Sequence, residues 1–145
     1  MKKVLITLLW LCCNGLALAQ SSVNELTDRF FSLYESENPR TAMLYAFDTN
    51  PYISANDDGV INLLNQLNGI LEVVNSYTGY EKVSEEAVGS KLMYRTYLVY
   101  YDRQPLRFMF EFYRPRDRWV FSNVMFDTDY AEERRQKIFP QQAGR

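Results

Sequence analysis

Asp48 and Glu111 are the acids whose neighbours could turn a carboxyl group into a catalytic base. An isomerase-like or hydrolase-like reaction needs such a group, its pKa tuned by burial, beside a hydrogen-bond donor that holds the developing oxyanion. Tyr94, Thr96, Tyr100 and Ser122 are hydroxyl residues set in otherwise apolar runs, the few polar groups that a small-molecule pocket uses. Each of these residues also has a plainer use. Asp48 can bond within the Asn50-Pro51 turn, Glu111 can pair across a sheet with Arg95, and strand Thr and Ser commonly bond to nearby backbone.

Composition narrows the chemistry further. The chain has no histidine, and its two cysteines, Cys12 and Cys13, fall in one apolar stretch near the N-terminus. Beyond that stretch neither a Ser-His-Asp or Cys-His nucleophile system nor an ordinary zinc site can be assembled. The adjacent acids Asp57-Asp58 and Glu85-Glu86 lack the spaced ligands and glycine of a calcium loop, so no metal or other cofactor is expected.

Met1-Lys2-Lys3, the short apolar run after it and Ala17-Leu18-Ala19 have the order of a secretory signal peptide over residues 1–19. The run is interrupted by Asn14 and Gly15 and is too short to span a bilayer. Leu11 before Cys12 argues against a lipoprotein attachment site, which wants a small residue there. The expected destination is therefore the periplasm or the outside of the cell, with no membrane span after cleavage. Without Lys2 and Lys3 the 16 basic residues become 14 against 18 acidic ones, a net charge of −4 that disfavours nucleic-acid partners. With no cysteine left for a disulfide, stability must come from a hydrophobic core, for which one domain over residues 20–128 has enough chain.

Ser22 followed by Glu25 forms a capping-box pattern ahead of Val23, Leu26, Phe30, Leu33 and Tyr34, predicting a helix over residues 23–36. Pro39 starts a shorter second helix, with Ala42, Met43, Ala46 and Phe47 inward, that Asn50-Pro51 stops. A third helix, capped by Asn56 or Asp57, carries Val60, Leu63, Leu64, Leu67, Leu71 and Val74 on one face and runs to about Ser76. Period-two alternation then predicts four strands, over roughly 79–84, 91–101, 106–114 and 118–126. Residues 129–145 read as a terminal helix capped by Asp129 or as a flexible tail. The fold class is α+β, with three N-terminal helices on a curved four-stranded antiparallel sheet.

Phe30-Phe31-Ser32-Leu33-Tyr34, Tyr45-Ala46-Phe47-Asp48-Thr49-Asn50-Pro51, Gly79-Tyr80-Glu81, Phe112-Tyr113-Arg114-Pro115 and Trp119-Val120-Phe121 through Phe126-Asp127 carry a family resemblance. In this order they resemble small exported bacterial proteins of the nuclear-transport-factor-two-like, or cystatin-like, superfamily. The resemblance extends over nearly all of the chain after the leader. It implies a roll fold in which helices cover a concave sheet, and pairing of copies through the outer sheet face. It does not specify an activity, because the superfamily holds isomerases, dehydratases and binding modules.

If both hairpins keep side-chain parity, Leu92, Tyr94, Thr96, Leu98 and Tyr100 share the helix-facing side with Phe108, Phe110, Phe112, Val120, Ser122, Val124 and Phe126. Tyr94, Thr96 and Ser122 then point into an apolar cone and are the candidate ligand-binding residues. The other face would carry Arg95, Tyr97, Val99, Met109, Glu111, Tyr113, Trp119, Phe121 and Asn123. Tyr97, Met109, Tyr113, Trp119 and Phe121 are the candidate interface, since a large apolar patch marks a partner surface unless the terminal segment, sheet twist or a bulge covers it. Arg103, Arg107, Arg114, Arg116 and Arg118 cluster at the hairpin ends and either bind an anion or keep the tips solvated. These features favour an exported, non-catalytic module that binds a small apolar molecule, a second copy or another envelope protein. The alternative is an enzyme built on Asp48 or Glu111.

Overall fold

The computed structural model describes residues 22–140, so the leader expected over 1–19 lies outside the described residues, as do residues 141–145. The chain is α+β: helices α1 (Val23–Ser36), α2 (Pro39–Asp48) and α3 (Asp58–Val74) precede strands β1 (Tyr77–Val88), β2 (Leu92–Tyr101), β3 (Leu106–Tyr113) and β4 (Val120–Asp127), and α4 (Tyr130–Ile138) follows. The strands form one antiparallel sheet in the order β1-β2-β3-β4. No helix among the described residues is long and apolar enough to cross a membrane.

Local chemistry sets the helix ends. Glu25 N donates to Ser22 Oγ at 3.1 Å and Ser22 N donates to Glu25 Oε2 at 2.7 Å, a reciprocal box that satisfies two donors at the start of α1. Asn38 Oδ1 accepts from Thr41 N at 2.9 Å ahead of Pro39, the first residue of α2. Asp57 stands at the N-cap of α3, but its carboxylate turns away from the helix to accept from Ser54 N at 2.9 Å. Asn75, with φ of 73° and ψ of −141°, ends α3 at a positive φ that few residues other than glycine adopt.

One face of the sheet packs on the helices. Phe30 and Phe31 of α1 lie over it, with ring centroids 4.9 Å from Phe110 and 4.8 Å from Tyr97 respectively, and Phe31 stacks on Tyr80 at 3.7 Å. Phe108, Phe112, Phe121, Val99 and Leu106 complete this core with Met43 of α2 and Leu64, Leu67 and Val74 of α3. Burying each such side chain contributes about 1.5–3 kcal/mol. Because Phe30, Tyr97 and Phe121 close in on Phe110 at 4.9, 5.5 and 5.3 Å, the volume above Phe110 is filled by rings. The apolar cone expected there is packed shut.

The register corrects the face assignment of β2. Arg95 pairs with Phe110, Tyr97 with Phe108 and Val99 with Leu106, so odd-numbered residues of β2 share the helix side with even-numbered residues of β3. Parity is not kept, because six residues, 100–105, separate the last pair Val99 and Leu106. A one-residue difference in register turns every side chain of a strand to the other face. Leu92, Tyr94, Thr96, Leu98 and Tyr100 therefore lie on the outer face, whereas Arg95, Tyr97 and Val99 face the helices. The β3–β4 hairpin begins with the same offset at Tyr113 and Val120, but a bulge after Phe121 restores even-with-even pairing by Phe110 and Val124. Phe121 is thereby turned into the core, at 1% exposure, rather than onto the outer face.

Candidate functional site

The expected site residues do not converge. Tyr94 and Thr96 stand on the outer face opposite Glu111 and Met109. Ser122 occupies the bulge and donates to Glu111 Oε1 at 2.7 Å. Of the expected interface, Tyr97 and Phe121 are core residues, whereas Met109 and Tyr113 do lie on the outer face, with Tyr113 exposed. Trp119 is half-buried against the edge of the core, with the Arg114 guanidinium 5.1 Å from its ring centroid. Tyr94, Met125 and Val88 add to the exposed apolar groups. At the other end of this face, Arg107 stands 5.7 Å from the ring of Tyr130 at the start of α4.

The two candidate acids lie on opposite sides of the sheet layer. Glu111 is bound to Ser122 and does not meet Arg95. Asp48 is exposed at the end of α2, lining an open groove of about 410 Å³ with Thr41, Leu44, Tyr45, Ile53 and Ala55. The phenol of Tyr45 in that groove is pushed up, mainly by burial and against the opposing pull of Arg29. Among the described residues no group of three or more acidic side chains converges to hold a metal ion.

Arg95 is the charged residue that sequence reasoning put on the wrong side. It is 6% exposed, and its Nη2 donates to Asn24 Oδ1 at 2.6 Å and its Nη1 to Thr27 Oγ1 at 3.1 Å, both on α1. Its Nε lies 2.7 Å from Glu85 Oε2 of β1, an ion-pair contact without hydrogen-bond alignment. Glu85 also accepts from Lys82 Nζ at 2.8 Å, and that bond first, with Arg95 adding to it, holds its carboxyl below the usual range against the opposing desolvation. Further along the inner face the Tyr34 and Tyr101 hydroxyls share a short hydrogen bond. Burial pushes Tyr101 up to about 12 and Tyr34 higher still.

A cavity more enclosed than the Asp48 groove lies where the sheet end meets the helix layer. Asn50, Pro51 and Tyr52 of the α2–α3 connection form one wall, and Tyr113, Pro115, Arg116, Asp117, Arg118 and Val120 of the β3–β4 hairpin form the other. Its volume of about 460 Å³ lies in the range of small-molecule sites. Hydrogen bonds fix both walls. Asn50 Nδ2 donates to Phe121 O at 3.1 Å, Phe121 N donates to Thr49 Oγ1 at 3.0 Å, and Tyr52 N donates to Asn50 Oδ1 at 3.1 Å. On the hairpin, Arg114 N donates to Lys91 O at 2.8 Å and Arg114 Nη2 to Ser90 O at 2.8 Å, tying its base to the β1–β2 turn.

The sequence alone does not reveal this cleft, because Asn50-Pro51 reads as a helix stop and residues 115–117 as the gap between two strands. The available signal was that each break is followed at once by a residue with binding chemistry, Tyr52 or Arg118. Their juxtaposition is a tertiary fact, set by the bonds from Thr49 and Asn50 to Phe121. Compared with protein-family models, with curated proteins and with solved structures, the chain matches none at a significant level.

Proposed function

We propose that this protein is an exported, non-catalytic binding module of the nuclear-transport-factor-two-like type that takes a small, largely apolar ligand. The cleft between the α2–α3 connection and the β3–β4 hairpin is its site. The observation that carries the reading is that cleft itself: about 460 Å³, with Pro51, Tyr52, Tyr113, Pro115 and Val120 as its apolar walls, and with those walls tied together by the bonds of Thr49 and Asn50 to Phe121. A pre-formed apolar concavity with a few polar groups is the usual form of a ligand site. The two candidate acids favour binding over catalysis, since neither Asp48 nor Glu111 is among the residues that line the cleft.

Titration with 2-naphthylmethanol, followed by Trp119 emission, tests the reading. Saturable binding is expected, weakened about fivefold by Tyr52→Ala, a loss of the size of one aromatic contact. Tyr52 is 90% exposed, so the change leaves the fold intact. No saturable binding, or binding indifferent to Tyr52, contradicts the site.

Self-association through the outer sheet face is a second reading, favoured by the exposure of Tyr94, Tyr113 and Met125 there. It predicts a dimer by light scattering that Tyr94→Glu dissociates. A monomer at all concentrations removes it.

A further inference from the structure

We propose that the ligand of the cleft is a monoanion, an apolar and preferably aromatic body bearing one carboxylate that Arg116 and Arg118 hold at the mouth. The inference rests on the cleft being the binding site and adds the charge of what it takes. Five arginines cluster near the hairpin ends, and three of them are engaged by the fold. Arg107 bonds Asp127 and Glu133, Arg103 donates to Val73 O, and Arg114 donates to Ser90 O beside Trp119. Arg116 and Arg118 instead have exposed side chains on the cleft wall, flanking Asp117.

Two guanidiniums and one carboxylate leave a single positive charge at the mouth of a cleft whose remaining walls are two tyrosines, two prolines and Val120, with Asn50 as the other polar side chain. A planar guanidinium offers paired N–H donors that match the two oxygens of a carboxylate. A neutral ligand would leave that charge unused, and a dianion would set a second negative charge against Asp117. The tyrosine faces of Tyr52 and Tyr113 suit an aromatic body better than a flexible chain, which would lose more rotamer freedom on binding.

A matched set of probes tests the charge separately from the site. To the purified protein at low ionic strength, 2-naphthoate is expected to bind about tenfold more tightly than 2-naphthylmethanol, the effect of a charge-assisted contact part-screened by water. The double substitution Arg116→Gln with Arg118→Gln is expected to remove the advantage of naphthoate, bringing the two probes within about twofold of each other. 2-Naphthyl phosphate is expected to bind no more tightly than naphthoate. Equal binding of naphthoate and naphthylmethanol to the parent protein would overturn the monoanion inference and leave the cleft standing. Tighter binding of the phosphate would overturn the single charge, and no binding of any probe would overturn the cleft and the inference together.

Discussion

Glu85→Gln is the substitution whose effect can be worked most fully from the structure. It removes the carboxylate 2.7 Å from the Nε of Arg95 and leaves a guanidinium that is only 6% exposed with Asn24 and Thr27 as its remaining partners. Breaking a fully buried pair from one side costs about 3–5 kcal/mol. The Glu85 side chain is 38% exposed and shared with Lys82, so water screens part of the attraction and the expected loss is about 1–2 kcal/mol. In a domain of this size that lowers the thermal midpoint by roughly 4–8 °C. Arg95→Met removes the charge together with its desolvation cost, lets Glu85 fall back on Lys82 and water, and is expected to stay within about 1 kcal/mol of the parent. Urea unfolding followed by Trp119 emission, with unchanged m values, measures both. The pair also sets a pH dependence. Because the folded-state carboxyl is held below its ordinary value of 4.5, by Lys82 first and then Arg95, its contribution is present above that value. It disappears as pH falls through the lowered one, and it is missing at every pH in Glu85→Gln. If Arg95→Met cost several kcal/mol while Glu85→Gln cost nothing, the bonds to α1 rather than the ion pair would hold Arg95.

Tyr101→Phe strands the buried hydroxyl of Tyr34 and is expected to cost about 1–3 kcal/mol in urea unfolding, most of it recovered when Tyr34→Phe is added. Both phenols titrate above their ordinary value of 10.0, so the stability they contribute is complete below that pH. It declines as pH rises toward about 12, which unfolding curves between neutral and alkaline pH will record. Arg107→Ala removes the bonds to Asp127 and Glu133 that tie α4 to the sheet, and hydrogen exchange across residues 130–138 should accelerate severalfold while β2 and β3 keep their protection. The register of β2 makes neighbouring tyrosines unequal: Tyr97→Ala should cost about 3 kcal/mol or more and Tyr94→Ala less than about 1, and the reverse order would refute the face assignment.

Helix positions were legible because their signals are local. Ser22 and Glu25 cap α1, Pro39 opens α2, and the apolar spacing from Val60 to Val74 repeats with the helical period, so each segment reports its own structure. Strand positions were legible for the same reason, except that β1 covers Tyr77–Val88 where the pattern predicted only 79–84. Their facing was not legible. In β2 the set Tyr94, Thr96, Leu98, Tyr100 and the set Arg95, Tyr97, Val99, Tyr101 are almost equally apolar, so alternation cannot say which is buried, and the charge of Arg95 points to the wrong answer. The difference lies in the length of the connection over residues 100–105 and in the bulge beside Ser122, neither of which has a composition that announces it. That single shift of parity carried Tyr94 and Thr96 away from the expected cone and brought Tyr97 and Phe121 into the core. The cleft was illegible for a different reason, since its walls lie more than 60 positions apart and meet through side-chain bonds to the backbone of Phe121.

The most direct test of the account asks where a bound aromatic probe sits. With 2-naphthylmethanol, intermolecular nuclear Overhauser effects should run to Tyr52, Tyr113, Pro115 and Val120, with amide shifts confined to residues 50–52 and 113–120. Contacts to Phe110, Tyr97 or Phe30 would mean that the packed interior opens to take the ligand, and would contradict the account.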